Sequence, residues 1–135
     1  DRRNYLARYR LADLFLDTFC YNAGTTAADA LWTGLPVLTC IGESFAARMA
    51  SGLVKTAGLS ELITQTPAEY ESVAIALAND PVRFASIRAK LSQAHDSSPL
   101  FDVPLFTKHL ERAYSTMFER HCIGLAPDNI YVPAG

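Results

Sequence analysis

The stretch NAGTTAADALWTGLPVLT, residues 22–39, decides the fold class because it predicts a helix followed by a strand. Two threonines precede an alanine-rich segment of helical character. Gly34 then stands where a helix C-terminus favours a left-handed residue, and Pro36 prevents the helix from continuing. The apolar run PVLTC, residues 36–40, predicts a buried strand.

The remaining chain repeats this alternation of short apolar runs with helical patterns. Residues 14–16 predict a buried strand before the first stretch, and residues 61–64 a third short strand after it. This order is typical of an α/β fold with a parallel sheet, followed by C-terminal helices. The predicted helices cover residues 4–12, 25–33, 42–57, 67–79, 83–95 and 104–121, and residues 125–135 are predicted to be extended.

Composition and charge narrow the class of protein. The chain has 135 residues, half of them hydrophobic, and a net charge of −2, which argues against binding to nucleic acid or to an anionic membrane. Its three cysteines have no metal-site spacing, which favours reduced thiols and a cytoplasmic location. No segment resembles a signal peptide or a membrane span. The first residue is not methionine and only three strands are predicted, so we expect a piece of a longer protein.

The loop before the second helix is the candidate binding site. Residues 18–26 follow the first strand, and ligands of open parallel sheets bind beyond the carboxyl ends of strands. Gly24 allows close backbone approach, while Thr25 and Thr26 offer N–H and hydroxyl donors that suit a diphosphate. Asp29 would repel a phosphate but could accept hydrogen bonds from the paired hydroxyls of a ribose. These residues therefore favour a nucleotide with a diphosphate beside its ribose.

A purely structural interpretation of the same residues stays open. Thr26 and Asp29 also fit the capping-box pattern, and an aspartate in a first helical turn is favourable by itself. Taken alone, the tetrapeptide 26–29 indicates helix capping more often than ligand binding, although the two roles can coexist.

Five collinear segments carry a resemblance to a known family. They resemble the C-terminal part of the O-GlcNAc transferase catalytic region, in its bacterial TPR-linked form, and together they cover roughly residues 5–117. The segments are RLADLFLDT (10–18), YNAGTTAADALWTGLPVLT (21–39), GESFAARMASGL (42–53), GLSELI (58–63) and SSPLFD (97–102).

The resemblance implies a fold, an activity and partners. The family fold is GT-B, so residues 1–121 would be the C-terminal portion of its Rossmann-like UDP-sugar-binding lobe, and residues 122–135 an extended tail. The family transfers N-acetylglucosamine from UDP-GlcNAc to serine or threonine of proteins, without a metal or another cofactor. The implied partners are the UDP-sugar donor, an acceptor protein, upstream TPR repeats and the first GT-B lobe. Because the family's phosphate-binding lysine and catalytic groups lie upstream, no catalytic residue is expected here.

The resemblance also assigns the site residue by residue. The pair Thr25-Thr26, next to Gly24, matches the threonines that hold the diphosphate. Asp29 matches the acid that binds the uridine ribose, and Arg8 matches an arginine packed against the uracil. The family often has histidine at the positions of Gly24 and Tyr5.

Two other classes of function remain alongside the transferase. One is another GT-B transferase or a UDP-sugar epimerase, because diphosphate sites at helix starts recur across that fold. The other is a non-catalytic interaction domain with a decayed site, which the departures at Tyr5 and Gly24 favour. Among other residues, Trp32 is predicted to lie in the core. For Arg48, a structural ion pair and a role near the site are equally favoured.

Overall fold

A computed structural model describes residues 1–133 of the chain. Their contacts form two compact units, the first ending at Phe101 and the second beginning at Asp102. The first unit contains helices and strands in alternation, as the sequence predicts. They are α1 (Arg2–Ala7), β1 (Phe15–Leu16), α2 (Thr25–Trp32), β2 (Val37–Cys40), α3 (Met49–Thr56), β3 (Ile63–Thr64), α4 (Pro67–Asn79) and α5 (Pro81–Ser97), with 3₁₀ turns at Arg8–Leu11, Ala46–Arg48 and Ser60–Leu62.

The three strands form one parallel sheet in the order β1-β2-β3. Phe15 pairs with Val37, and Thr39 pairs with Ile63, so β2 is the central strand. The predicted α/β fold with a parallel sheet is confirmed. The expected burial of the first strand is wrong for Leu16, which is 56% exposed. In the part of the chain that the structure describes, β1 is an edge strand and has a neighbouring strand on one side only.

Local sequence signals explain where most helices begin and end. Gly34 and Gly58 have φ values of +83° and +77°, so both terminate helices in the left-handed conformation that glycine permits. Thr66 and Asp80 cap α4 and α5 by accepting hydrogen bonds from backbone N–H groups three residues on. A proline follows each cap at the first helical position. By contrast, α3 begins later than residue 42, because a 3₁₀ turn occupies Ala46–Arg48.

The core lies between the sheet and its helices. Small residues on the buried face of α2, Ala27 and Ala30, are fully buried and let the helix approach its neighbours closely. Trp32 is not part of this core and is 48% exposed, which makes the prediction for it wrong. Its indole ring instead lies on the surface, 4.4 Å from the His95 ring and 5.4 Å from the Phe101 ring, measured between centroids.

The second unit consists of α6 (Val103–Cys122) and the segment that follows it. Asp102 caps α6 by accepting a hydrogen bond of 2.8 Å from the Leu105 N–H. Residues 125–133 form neither helix nor strand, and Arg120 holds them by donating to the Ala126 carbonyl at 2.8 Å. Residues 134 and 135 of the predicted tail lie outside the described residues. Among residues 1–133, no helix combines the length and apolar character needed to cross a membrane.

Candidate functional site

The loop after β1 leads directly into α2, at the carboxyl edge of the sheet. Gly24 is the N-cap of α2, and no side chain caps this helix. Thr25 and Thr26 therefore lie within the exposed first turn, and within residues 1–133 neither hydroxyl hydrogen-bonds to a protein group. The capping-box interpretation of Thr26 and Asp29 is wrong, because the cap falls two residues earlier than that pattern requires. The arrangement leaves two exposed hydroxyls, and the first N–H groups of α2 have no side-chain cap.

Gly24 lies close to the start of α3. A Cβ atom at this position would lie 2.5 Å from the sulfur of Met49, the first residue of α3. Any larger side chain here requires Met49 to move. Met49 thus occupies the space that a side chain at position 24 would need.

Asp29 lies one turn into α2 and is only 7% exposed. Its Oδ1 accepts a hydrogen bond from Arg2 of α1 at 3.2 Å, and these two side chains form an ion pair. No group in the described part of the chain donates to Oδ2. Oδ1 of Asp29 is therefore paired with Arg2, while Oδ2 could accept a hydrogen bond from a ligand hydroxyl.

Arg8 lies in the exposed 3₁₀ turn that follows α1. Together with Tyr5 and Tyr9 it lines a groove of 320 Å³. The two tyrosine hydroxyls are 2.7 Å apart, and that of Tyr9 donates to the carbonyl of Thr26 at 3.4 Å. Burial and the hydrogen bond with Tyr5 raise the pKa of Tyr9 above its ordinary value. Tyr9 thus joins this groove to the first turn of α2, although Arg8 itself bonds to none of the other predicted site residues.

Asp17, which the sequence patterns did not single out, organises the loop. This carboxylate is 4% exposed and stands directly after β1. Its Oδ1 accepts hydrogen bonds from the N–H groups of Thr18 at 2.9 Å and Ala23 at 2.8 Å. Its Oδ2 accepts one of 2.7 Å from the hydroxyl of Thr39 on β2. The signal in the sequence that could have indicated this role is the single acidic residue at the end of an apolar strand.

Two further side chains fix the same loop. The Tyr70 hydroxyl of α4 donates to the Asp17 carbonyl at 3.0 Å, and its ring contacts Phe19 edge to face. Burial, with the nearby charge of Asp17, raises the pKa of Tyr70 to about 12. Asn22 is 1% exposed. It bonds to the Thr18 carbonyl through its side chain, and its backbone N–H donates to the Ala46 carbonyl.

Arg48 and the three cysteines form no hydrogen bond or ion pair with the predicted site residues within residues 1–133. Arg48 is exposed and forms no ion pair within residues 1–133, so the structural ion pair considered for it is not observed. All three cysteines are free thiols. In the same residues, no three His, Cys, Asp or Glu side chains converge as they would around a metal ion.

The fold defines a class of protein, a parallel α/β domain in which the loop after β1 leads into a glycine-threonine helix start. Comparison with known proteins identifies the family. The model of glycosyl transferase family 41 matches residues 1–110, and the chain belongs to this family.

Individual relatives agree with this assignment. The chain is 38% identical over 129 residues to the UDP-N-acetylglucosamine–peptide N-acetylglucosaminyltransferase of Caenorhabditis elegans, covering 96% of this chain and 11% of that protein. It is 36% identical over 124 residues to the probable enzyme of this name, SPINDLY, of Petunia hybrida, covering 92% of this chain and 13% of that protein.

A solved structure confirms the predicted fold. A mutant O-GlcNAc transferase of Thermobaculum terrenum superposes with a TM-score of 0.83 at 37% identity, over 90% of this chain and 24% of that one. The chain thus spans between a tenth and a quarter of the length of these three relatives.

Proposed function

We propose that this chain is the UDP-sugar-binding part of a transferase that moves N-acetylglucosamine from UDP-GlcNAc to serine or threonine of an acceptor protein. The relatives named for this activity support the proposal, since they match nearly the whole chain. The observation that carries it is the start of α2, where Gly24 caps the helix without a side chain and the hydroxyls of Thr25 and Thr26 have no partner within residues 1–133.

The diphosphate of the donor would occupy this helix start. Backbone N–H groups of the first turn point outward there, and the helix dipole favours negative charge. As the bond between the sugar and the phosphate breaks, negative charge grows on the β-phosphate. Fixed donors at this position stabilise that charge without having to reorganise. The role of Gly24, Thr25 and Thr26 is therefore stabilisation of the leaving group.

The nucleoside would extend from the diphosphate toward α1. Asp29 accepts hydrogen bonds from the ribose through Oδ2, while Arg2 holds Oδ1. Arg8 packs against the uracil from the groove that it shares with Tyr5 and Tyr9. The hydrogen bond from Tyr9 to the Thr26 carbonyl supports this arrangement, because it joins the groove to the first turn of α2.

The remaining parts of the reaction belong to the longer protein. The first GT-B lobe would supply the phosphate-binding lysine and the groups that face the acceptor, and TPR repeats upstream would present the acceptor protein. We propose that the reaction needs no metal and takes place in the cytoplasm, without nucleic acid or membrane as a partner.

Calorimetric titration of the full-length protein tests this function. UDP should bind more tightly than uridine, and more tightly than ADP or GDP, because both the diphosphate and the base contribute. Transfer of labelled N-acetylglucosamine from UDP-GlcNAc to a protein acceptor is the matching activity assay. If the full-length protein bound no UDP, the interpretation as a non-catalytic domain with a decayed site would replace the proposal.

A further inference from the structure

We propose that Asp17 is a positioning residue for the diphosphate loop and that it acts as a clamp across the base of this loop. The inference rests on the proposed function, because it concerns the same site. It adds a residue that would touch no part of the substrate. The clamp consists of Asp17 together with its partners Thr18, Ala23 and Thr39.

The clamp joins both ends of the loop to the sheet. Oδ1 of Asp17 holds the N–H of Thr18, where the loop begins, and the N–H of Ala23, where it ends. Oδ2 is held in turn by the Thr39 hydroxyl on the central strand β2. One rigid carboxylate therefore fixes the distance between the end of β1 and Gly24, the cap of α2.

The clamp uses only neutral donors. Three hydrogen bonds satisfy a carboxylate that is almost fully buried, and no ion pair among the described residues includes it. A carboxylate paired with an arginine could serve mainly to neutralise that arginine. Here the observed partners are two backbone N–H groups of the loop and a strand hydroxyl, so the role of the carboxylate is geometric.

The consequence for binding follows from the position of α2. Ala23 directly precedes Gly24, so release of its N–H lets the first turn of α2 shift relative to the sheet. Loss of one hydrogen bond to the charged diphosphate would reduce affinity about tenfold or more. Loss of the clamp should therefore weaken contacts to the diphosphate, made by the first turn of α2, more than contacts to the nucleoside, made by Arg8 and by Asp29 beyond that turn.

Three variants of the full-length protein test the clamp. Asp17→Ala removes it and should raise the Kd for UDP about tenfold or more, with a change of less than about threefold for uridine. Asp17→Asn should bind UDP nearly as the unmodified protein does, because Oδ1 still accepts from both N–H groups and the amide can donate to Thr39. Ser98→Ala is the matched control, since it removes another buried hydroxyl bond, of 2.7 Å to the Thr56 carbonyl at the opposite end of α3.

Calorimetry and thermal unfolding distinguish the outcomes. The control should lose stability without losing UDP affinity. Equal affinity for UDP in Asp17→Ala and the unmodified protein would overturn the clamp, and so would a parallel loss of affinity in Ser98→Ala. If Asp17→Ala does not fold, Thr39→Val removes one hydrogen bond of the clamp at nearly constant volume. This variant should also weaken UDP binding more than uridine binding, by a smaller factor. Failure of the unmodified protein to bind UDP would instead overturn the proposed function.

Discussion

The double substitution Thr25→Ala with Thr26→Ala tests the diphosphate site most directly. Both side chains are exposed in the first turn of α2, and neither caps that helix. A hydrogen bond to a charged group contributes about 1.5–3 kcal/mol, so loss of even one to the phosphates should raise the Kd for UDP at least about tenfold. Uridine lacks the phosphates, and its affinity should change little.

The structure also predicts what this substitution does to stability. Removal of a threonine N-cap commonly costs about 1 kcal/mol, but the cap here is Gly24. Alanine is the better helix former by up to about 0.7 kcal/mol per residue. The double variant should therefore unfold at an equal or slightly higher temperature than the unmodified protein, so reduced UDP binding would not reflect reduced folding.

Titration calorimetry with UDP and with uridine, on the full-length protein, measures the difference. Thr56→Ala is the matched control because it removes an exposed threonine at the far end of α3, and it should leave both affinities unchanged. Equal losses for UDP and uridine in the double variant would refute the diphosphate assignment. A fall in unfolding temperature of several degrees would refute the observation that these hydroxyls do not cap the helix.

Four further predictions address the rest of the site. Asp29→Asn should weaken UDP and uridine alike but partially, and equal binding of UDP and 2′,3′-dideoxyuridine diphosphate by the unmodified protein would contradict the ribose role. Gly24→Ala should weaken UDP binding, because the added methyl group would collide with Met49. A second substitution, Met49→Ala, should restore part of the UDP affinity, and additive losses of affinity would exclude this coupling. Folding raises the pKa of Tyr70 from 10 to about 12, so its contribution to stability is complete below pH 10 and is lost as the pH rises toward 12. The urea midpoint of the Tyr70→Phe variant should therefore fall less steeply between pH 10 and 12 than that of the unmodified protein. An equal slope in both proteins would contradict this prediction. The 135-residue chain alone should transfer no sugar, and robust turnover in the labelled-sugar assay would show that it is catalytically complete.

Local chemistry made much of the fold predictable. The helix ends at Gly34 and Gly58 follow from glycine's freedom at positive φ, and the helix starts after Thr66 and Asp80 follow from side-chain caps before proline. Each of these signals acts within a few residues, so the sequence contains the whole cause.

The errors concern interactions between distant segments. Trp32 and Leu16 are apolar, but their burial depends on which elements cover them, and sequence pattern does not specify that. The position of the α2 cap was misjudged for a similar reason. The local pattern fits a cap at Thr26, whereas the N-cap is Gly24. The residue before it, Ala23, bonds to Asp17, which also bonds to Thr39, 22 positions from Asp17 in the chain.

The hydrogen bond from Tyr70 to the Asp17 carbonyl has a consequence for biosynthesis. Its two residues are 53 positions apart in the chain. Ribosomes add about 5–20 residues per second, so about 3 to 10 seconds separate synthesis of the loop from synthesis of the tyrosine that closes it. During that interval the nascent loop lacks its partner on α4. We therefore expect the loop of residues 18–26 to reach its final form only after α4 has emerged. Conditions that slow translation between these residues should prolong the exposure of this loop to proteases and chaperones.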